Sequence, residues 1–193
     1  MTLLIAGTGL LCCAEIVHAH PHVWITAKAT VVYEKGAFVG LRQTWSFDKA
    51  YSTTAVEELH KKEDGSYDPA ELAELAKANV EGMREVSYFT VAQLSGRKLE
   101  LGEARDYRHE FKDGVLLLYF TVPLMQPVPA SAKGFSFAIS DPEYFIAFAF
   151  DEIDPVKLEG APASCETTIQ TRTTTGLFGL TQSKAVAVAC GPR

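Results

Sequence analysis

Two neighbouring stretches alternate in hydropathy, and their pairing constrains everything that follows. Along 23–33, VWITAKATVVY, the residues Val23, Ile25, Ala27, Ala29, Val31 and Tyr33 fall on one face. His22, Trp24, Thr26, Lys28 and Thr30 fall on the other. Along 38–47, Val39, Leu41, Trp45 and Phe47 face one way, and Arg42, Thr44, Ser46 and then Asp48 face the other. A period of two defines strands with one buried face. Glu34-Lys35-Gly36 between them predicts a three-residue hairpin loop, whose last position is left-handed and favours glycine. That loop sets Val23 opposite Phe47, Ile25 opposite Trp45, Ala29 opposite Leu41 and Val31 opposite Val39, so the apolar faces coincide. It also sets His22 directly opposite Asp48. A slip of one residue would put Val23 against Asp48 and bury polar groups. A slip of two keeps the faces together and makes the His22–Asp48 pair diagonal, still within side-chain reach.

After Asp48 the period becomes helical. Tyr51, Ala55, Val56 and Leu59 share a face. Asp68-Pro69-Ala70-Glu71 supplies an N-cap, a proline at the first helical position and a glutamate at the third. Leu72, Leu75, Ala76, Val80 and Met83 continue as an amphipathic stripe. Residues 49–84 therefore read as a helical hairpin inserted after the first two strands. Strands are predicted over 86–94, 97–101, 106–112, 115–122, 134–140, 144–150, 165–170 and 184–190, with Asp113-Gly114 as a hairpin turn. The Pro-rich 123–130 stretch reads as a loop. The fold class is mainly β (α+β): an antiparallel β-sandwich-like single domain, residues 20–193, carrying the helical hairpin. The aromatic residues Trp24, Trp45, Phe47, Phe135, Phe137, Tyr144, Phe145, Phe148 and Phe150 read as sandwich core rather than a ligand box.

Residues 3–14 form an uncharged apolar run too short to span a bilayer. Val17-His18-Ala19 follows as a small-residue cleavage site, so 1–19 reads as a signal peptide without a positive amino-terminal region. Cys12 and Cys13 lack the small preceding residue of a lipoprotein site, so no membrane anchor is expected after cleavage. The mature protein keeps two cysteines, Cys165 and Cys190, and an exported chain is expected to pair them. Closing that loop contributes about 3.5 kcal/mol in the chain-entropy model; two reduced buried thiols are the alternative. The formal charge of −6 comes with no basic block, which argues against nucleic acid as a partner.

Cleavage after Ala19 makes His20 the first residue. His20 and His22 lie two apart, on the polar face of the first strand, and the free amine of His20 adds a third nitrogen donor. With Asp48 they make a candidate metal site: His20, His22 and Asp48. Imidazole nitrogens with one carboxylate suit Zn²⁺, with Ni²⁺, Co²⁺ or Cu²⁺ as alternatives. Pro21 has no amide hydrogen, so successive backbone-amide chelation is excluded there. The competing role for Asp48 is to cap the helix that follows. His60 and His109 read as exposed, and Asp141-Pro142-Glu143 as a turn between strands, able to approach the site in three dimensions. The loop from His60 to Glu71 has the length of a calcium-binding helix-loop-helix, but His60 and Lys62 stand where carboxylates belong, so no Ca²⁺ is expected. Gly-rich phosphate loops, GxSxG and HExxH are missing from the sequence, and the chain reads as a non-enzyme.

The segments His20-Pro21-His22-Val23-Trp24-Ile25, Thr44-Trp45-Ser46-Phe47-Asp48 and Asp141-Pro142-Glu143-Tyr144-Phe145-Ile146-Ala147-Phe148 closely resemble a periplasmic family of unknown function. That family is described as ABC-type transport system periplasmic component-like. It includes ZevA-like zinc-uptake proteins, encoded beside or fused to permeases of the nickel/cobalt (NicO) type. The resemblance extends through Gly160-Ala161-Pro162 to Cys165. It implies a periplasmic accessory protein that passes Zn²⁺, or Ni²⁺ or Co²⁺, to an inner-membrane NicO-type permease, with His20, His22 and Asp48 as carried-over site residues. Family members often carry an acidic, calcium-like sequence in the hairpin, which His60 and Lys62 interrupt here. A non-metal interaction or assembly module of a membrane transport system is the alternative function.

Overall fold

The computed structural model describes residues 21–176 and 179–191. The leader expected over 1–19, and His20 with it, lie outside the described residues. Strands β1 (Val23–Glu34) and β2 (Ala37–Phe47) form the expected antiparallel hairpin. Its loop is shorter than the sequence suggests. Glu34 pairs with Ala37, and Lys35 and Gly36 alone make the turn, with φ of 47° and 93°. Two successive positive φ values suit a primed two-residue turn, whose twist matches that of the strands. The register then shifts between Val32 and Tyr33, leaving Val39 as an extra residue. The result is Ile25 opposite Phe47, Ala27 opposite Trp45 and Val31 opposite Leu41. This is the slip of two rather than the direct register, and the buried faces still coincide.

The remaining elements are α1 (Lys49–Ala55), α2 (Pro69–Gly82), β3 (Thr90–Leu94), β4 (Arg97–Lys98), β5 (Arg105–Lys112), β6 (Val115–Pro129), β7 (Phe135–Ile139), β8 (Ile146–Phe150), β9 (Val156–Glu159), β10 (Cys165–Gly176) and β11 (Gly179–Cys190). One sheet runs β5-β6-β2-β1-β8, with β9 also on β1; the other runs β10-β11-β7-β3-β4. The mainly β, two-sheet fold with two helices is thus present, but not wholly antiparallel, because β8 and β9 both pair with β1 in parallel. The 123–130 stretch is not a loop. β6 continues through it, past a register shift on β2 between Phe38 and Gly40. Pro123 and Pro129 both have partners on β2, since proline is tolerated at strand positions beside irregular pairing.

The inner face of the first sheet can be followed across four strands: Ala27 sits beside Trp45, Trp45 beside Leu118, and Leu118 beside His109. The second sheet covers part of that face, with Phe38 of β2 stacked on Phe135 of β7 at 5.5 Å. The helical hairpin packs over β5 and β6. Asp68 caps α2 through Ala70 N–H at 2.8 Å, and Leu72, Ala76 and Val80 are buried. Glu71 does not complete a capping box; its carboxylate takes the backbone N–H and the Nδ1 of His60. Ser52 ties α1 to β6, donating to the Asp48 carbonyl at 2.7 Å and accepting from Leu116 N–H at 2.9 Å.

A chain of buried polar groups joins the two sheets. Trp45 Nε1–H donates to Gln43 Oε1, Gln43 Nε2–H donates to Thr90 Oγ1, and Thr90 donates to the Tyr88 carbonyl, each at 2.9 Å. Gln43 and Trp45 are fully buried, and every link has a partner, as buried polar groups require. Ser87, Tyr88 and Phe89, just before β3, all have left-handed backbone with φ of 50–55°. Such a run is costly for residues with a Cβ. It is held by burial of Tyr88, by the Thr90 bond, and by the Tyr88 hydroxyl, which accepts from Ala104 N–H at 3.0 Å.

Candidate functional site

Three elements meet at the start of β1. The chain enters at Pro21-His22, α1 begins at Asp48, and the 140–145 turn delivers β8. His22 N–H donates to the Phe145 carbonyl at 2.9 Å, and its exposed ring lies 4.7 Å from the Phe145 ring. Asp141 shapes the turn. Its carboxylate accepts from the N–H groups of Glu143, Phe145 and Ile146 at 2.9–3.0 Å. The Asp-Pro-Glu segment is therefore a turn, as expected, and it does come near the start of β1. Asp141 contributes by fixing the backbone there.

The register places Trp24, not His22, across from Asp48. Asp48 N–H donates to the Trp24 carbonyl at 2.9 Å, and its Oδ2 accepts from Trp24 N–H at 2.8 Å. Its Oδ1 accepts from Tyr51 N–H at 2.9 Å, so the capping role exists. Desolvation works against ionisation of Asp48, but the backbone N–H groups of Trp24, Tyr51, Ala50 and Asp48 itself outweigh it and hold the carboxyl below its ordinary range. Of these, Trp24 and Tyr51 make the two close hydrogen bonds, one on each oxygen, and each oxygen keeps lone-pair capacity for another donor or a cation. Among the described residues, no group of three or more His, Cys, Asp or Glu is placed to hold a metal ion. His22 and Asp48 stand at the same end of the sheet; the third proposed donor, His20, lies outside the described residues.

The same end carries an aromatic surface. Trp24 is 57% exposed and Phe145 55%, and Tyr144 is also exposed. These three are not core, unlike Trp45, Phe47, Phe135, Phe137 and Phe150, which are buried. The alternation of β1 already assigns Trp24 to the outward face. Nothing in the sequence signals Phe145, because its exposure follows from the turn that Asp141 imposes.

His60 is exposed and paired with Glu71, which raises its pKa through hydrogen bond and charge. His109 is buried, contrary to expectation. β5 turns Tyr107, His109 and Phe111 toward the interior, and α2 covers them. Its Nδ1 lies 3.0 Å from the Leu117 carbonyl and its Nε2 3.0 Å from Asn79 Nδ2. The network suits a neutral ring with the proton on Nδ1. Burial lowers the His109 pKa, and the Leu117 bond offsets only part of that. The unfolded chain therefore binds a proton more readily than the folded one. Stability from this residue is present above about pH 6.5 and falls as pH drops through the ordinary histidine range, by at most about 1.4 kcal/mol per pH unit. Denaturation midpoints between pH 7.5 and 5 should decline in the wild type and decline less in His109→Gln. An identical decline in both would assign the effect to other groups.

Cys165 and Cys190, opposite one another at the base of the β10–β11 hairpin, form a disulfide. That bond is compatible with export. Among the described residues no helix is long and apolar enough to cross a membrane.

The sequence of this chain matches a family model. The model covers residues 5–176 and is described as a protein of unknown function (DUF1007). The chain belongs to that family. No protein with a curated description matches it.

Proposed function

We propose that this chain is a periplasmic metal-binding accessory protein of transition-metal uptake. It takes Zn²⁺ as cargo and passes it to an inner-membrane permease of the NicO type, as the resemblance to ABC-type transport system periplasmic component-like and ZevA-like proteins implies. Ni²⁺, Co²⁺ and Cu²⁺ suit the same nitrogen-rich donors. The chain binds and delivers; it is not an enzyme. The observation that carries this reading is the exposed imidazole of His22. It rests on Phe145, without a hydrogen-bond partner among the described residues, at the end of the sheet where Asp48 begins α1. His20, two residues earlier, supplies the second imidazole and, after cleavage at Ala19, the amine. Zn²⁺ with three protein donors and an open position suits capture and release.

Zinc titration of the protein beginning at His20 should give one site that weakens by about a hundredfold in His20→Ala/His22→Ala, since each lost ligand removes roughly tenfold or more in affinity. Equal, weak binding by both proteins would sink the metal reading. The exposed Trp24, Tyr144 and Phe145 favour a second reading, an assembly module that docks on a membrane transport partner without metal. Retention of a NicO-type permease by the double-histidine variant as fully as by the wild type, without zinc binding, would favour it.

A further inference from the structure

The free edge of the second sheet is β10. It pairs with β11 from Cys165 opposite Cys190 to Gly176 opposite Gly179 with no register shift, and among the described residues no strand lies on its other side. The direction of its unpaired groups follows from the ladder. Gly191 N–H bonds the Ser164 carbonyl, whereas Cys165 N–H turns away to the Pro162 carbonyl. Antiparallel pairs alternate in this way, so the N–H and C=O groups of Thr167, Ile169 and Thr171 point outward along the edge.

The other edges are blunted. β5 carries Arg105, Asp106, Arg108, Glu110 and Lys112 and a register shift. β4 is two residues long, and β8 and β9 are separate short pieces. β10 has no proline, lysine or bulge, the usual devices against edge-to-edge pairing. Its sequence, CETTIQTRTTTG, has two charges, Glu166 and Arg172, which stand three residues either side of Ile169. Ile169 is 37% exposed.

We infer that β10 pairs antiparallel with β10 of a second copy of this chain, about a two-fold axis at Ile169, joining the two sheets edge to edge. In that register Ile169 meets Ile169, Thr167 meets Thr171, and position 166 of each copy meets position 172 of the other on one face. Both acidic positions are thereby set against basic ones. A slip of one or two residues in either direction separates both charge pairs. The pairing closes roughly six backbone hydrogen bonds, and as an isologous contact it ends at a dimer.

Sedimentation of the protein beginning at His20 should show a monomer–dimer equilibrium between about 1 and 500 μM, the range of a small interface. Glu166→Arg and Arg172→Glu each set like charges opposite at two places and should raise Kd roughly tenfold. The double charge swap should restore it to within about threefold, because opposite signs meet again. Ile169→Pro removes an outward N–H while leaving the β11 ladder intact, and should leave only monomer. An intact disulfide and an unchanged circular-dichroism spectrum show that each variant folds; the charge variants carry the test if Ile169→Pro does not. A wild type that stays monomeric throughout the range overturns the proposal. So does a double swap that dimerises no better than the single variants.

Discussion

Replacing Trp45 by alanine should destabilise the protein by about 5 kcal/mol, comparable with the whole net stability of a domain of this size. The indole is fully buried on β2 and meets Phe120 and Phe148 edge-on with ring centroids 4.9 and 5.0 Å apart. Losing it costs about 3–5 kcal/mol in transfer and cavity terms. It also leaves Gln43 Oε1 without its donor in a fully buried position, which costs about 1–3 kcal/mol more. The two contributions separate experimentally. Trp45→Phe keeps most of the apolar volume and should cost about 2–3 kcal/mol, largely for the orphaned amide oxygen. Adding Gln43→Leu removes that oxygen, so the double variant should be less destabilised than the sum of the singles by at least about 1 kcal/mol. Urea denaturation of the wild type, Trp45→Ala, Trp45→Phe, Gln43→Leu and the double variant measures these effects. Additive effects would mean that the indole–amide bond contributes nothing beyond packing.

The fold was readable where local pattern and tertiary need coincide. The β1–β2 alternation places Ile25, Ala27, Trp45 and Phe47 in the interior because a slip of two residues leaves each on the same face. The N-cap Asp68 and the stripe through Leu72, Ala76 and Val80 are equally local. The turn length was not local. The two-residue turn shifts the register by one residue and the bulge at Val39 shifts it by one more, and together they move Asp48 from His22 to Trp24. β9 is four residues long and pairs in parallel with a strand more than a hundred positions earlier, for which the sequence carries no register signal. His109 was legible in principle. Tyr107, His109 and Phe111 alternate with charged residues, and one neutral imidazole among them belongs on the inner side. At the candidate site, His22 on the polar face of β1 and Asp48 at the helix start were visible. The aromatic partner Phe145 was not, since only the backbone bonds of Asp141 bring it alongside.

Asp48→Ala should cost about 3 kcal/mol, and Asp48→Asn about half that. One carboxylate serves two N–H groups on separate elements: Tyr51, in the first turn of α1, and Trp24, at the end of the β1 ladder. Alanine leaves both unpaired. Asparagine offers one carbonyl oxygen and can retain only one of them well. The cause predicts the pH dependence. Because the folded protein holds the Asp48 carboxyl below its ordinary range, its contribution is complete above about pH 4, the unfolded aspartate value, and is lost as pH falls through the lower folded value. The stability gap between wild type and Asp48→Ala should therefore be constant from pH 7 to about 5 and narrow below pH 4. A gap that persists at pH 2 would show that the charge is not what holds the two elements. The same substitution divides structure from binding. Asp48→Asn keeps a well-folded chain, so zinc affinity measured on it is informative. If Asp48 acts only by fixing Trp24 and hence the path of the chain into His22, affinity should be nearly unchanged. If the carboxylate also meets the ion, affinity should fall by tenfold or more, and the loss should remain when the comparison is made far below the unfolding midpoint.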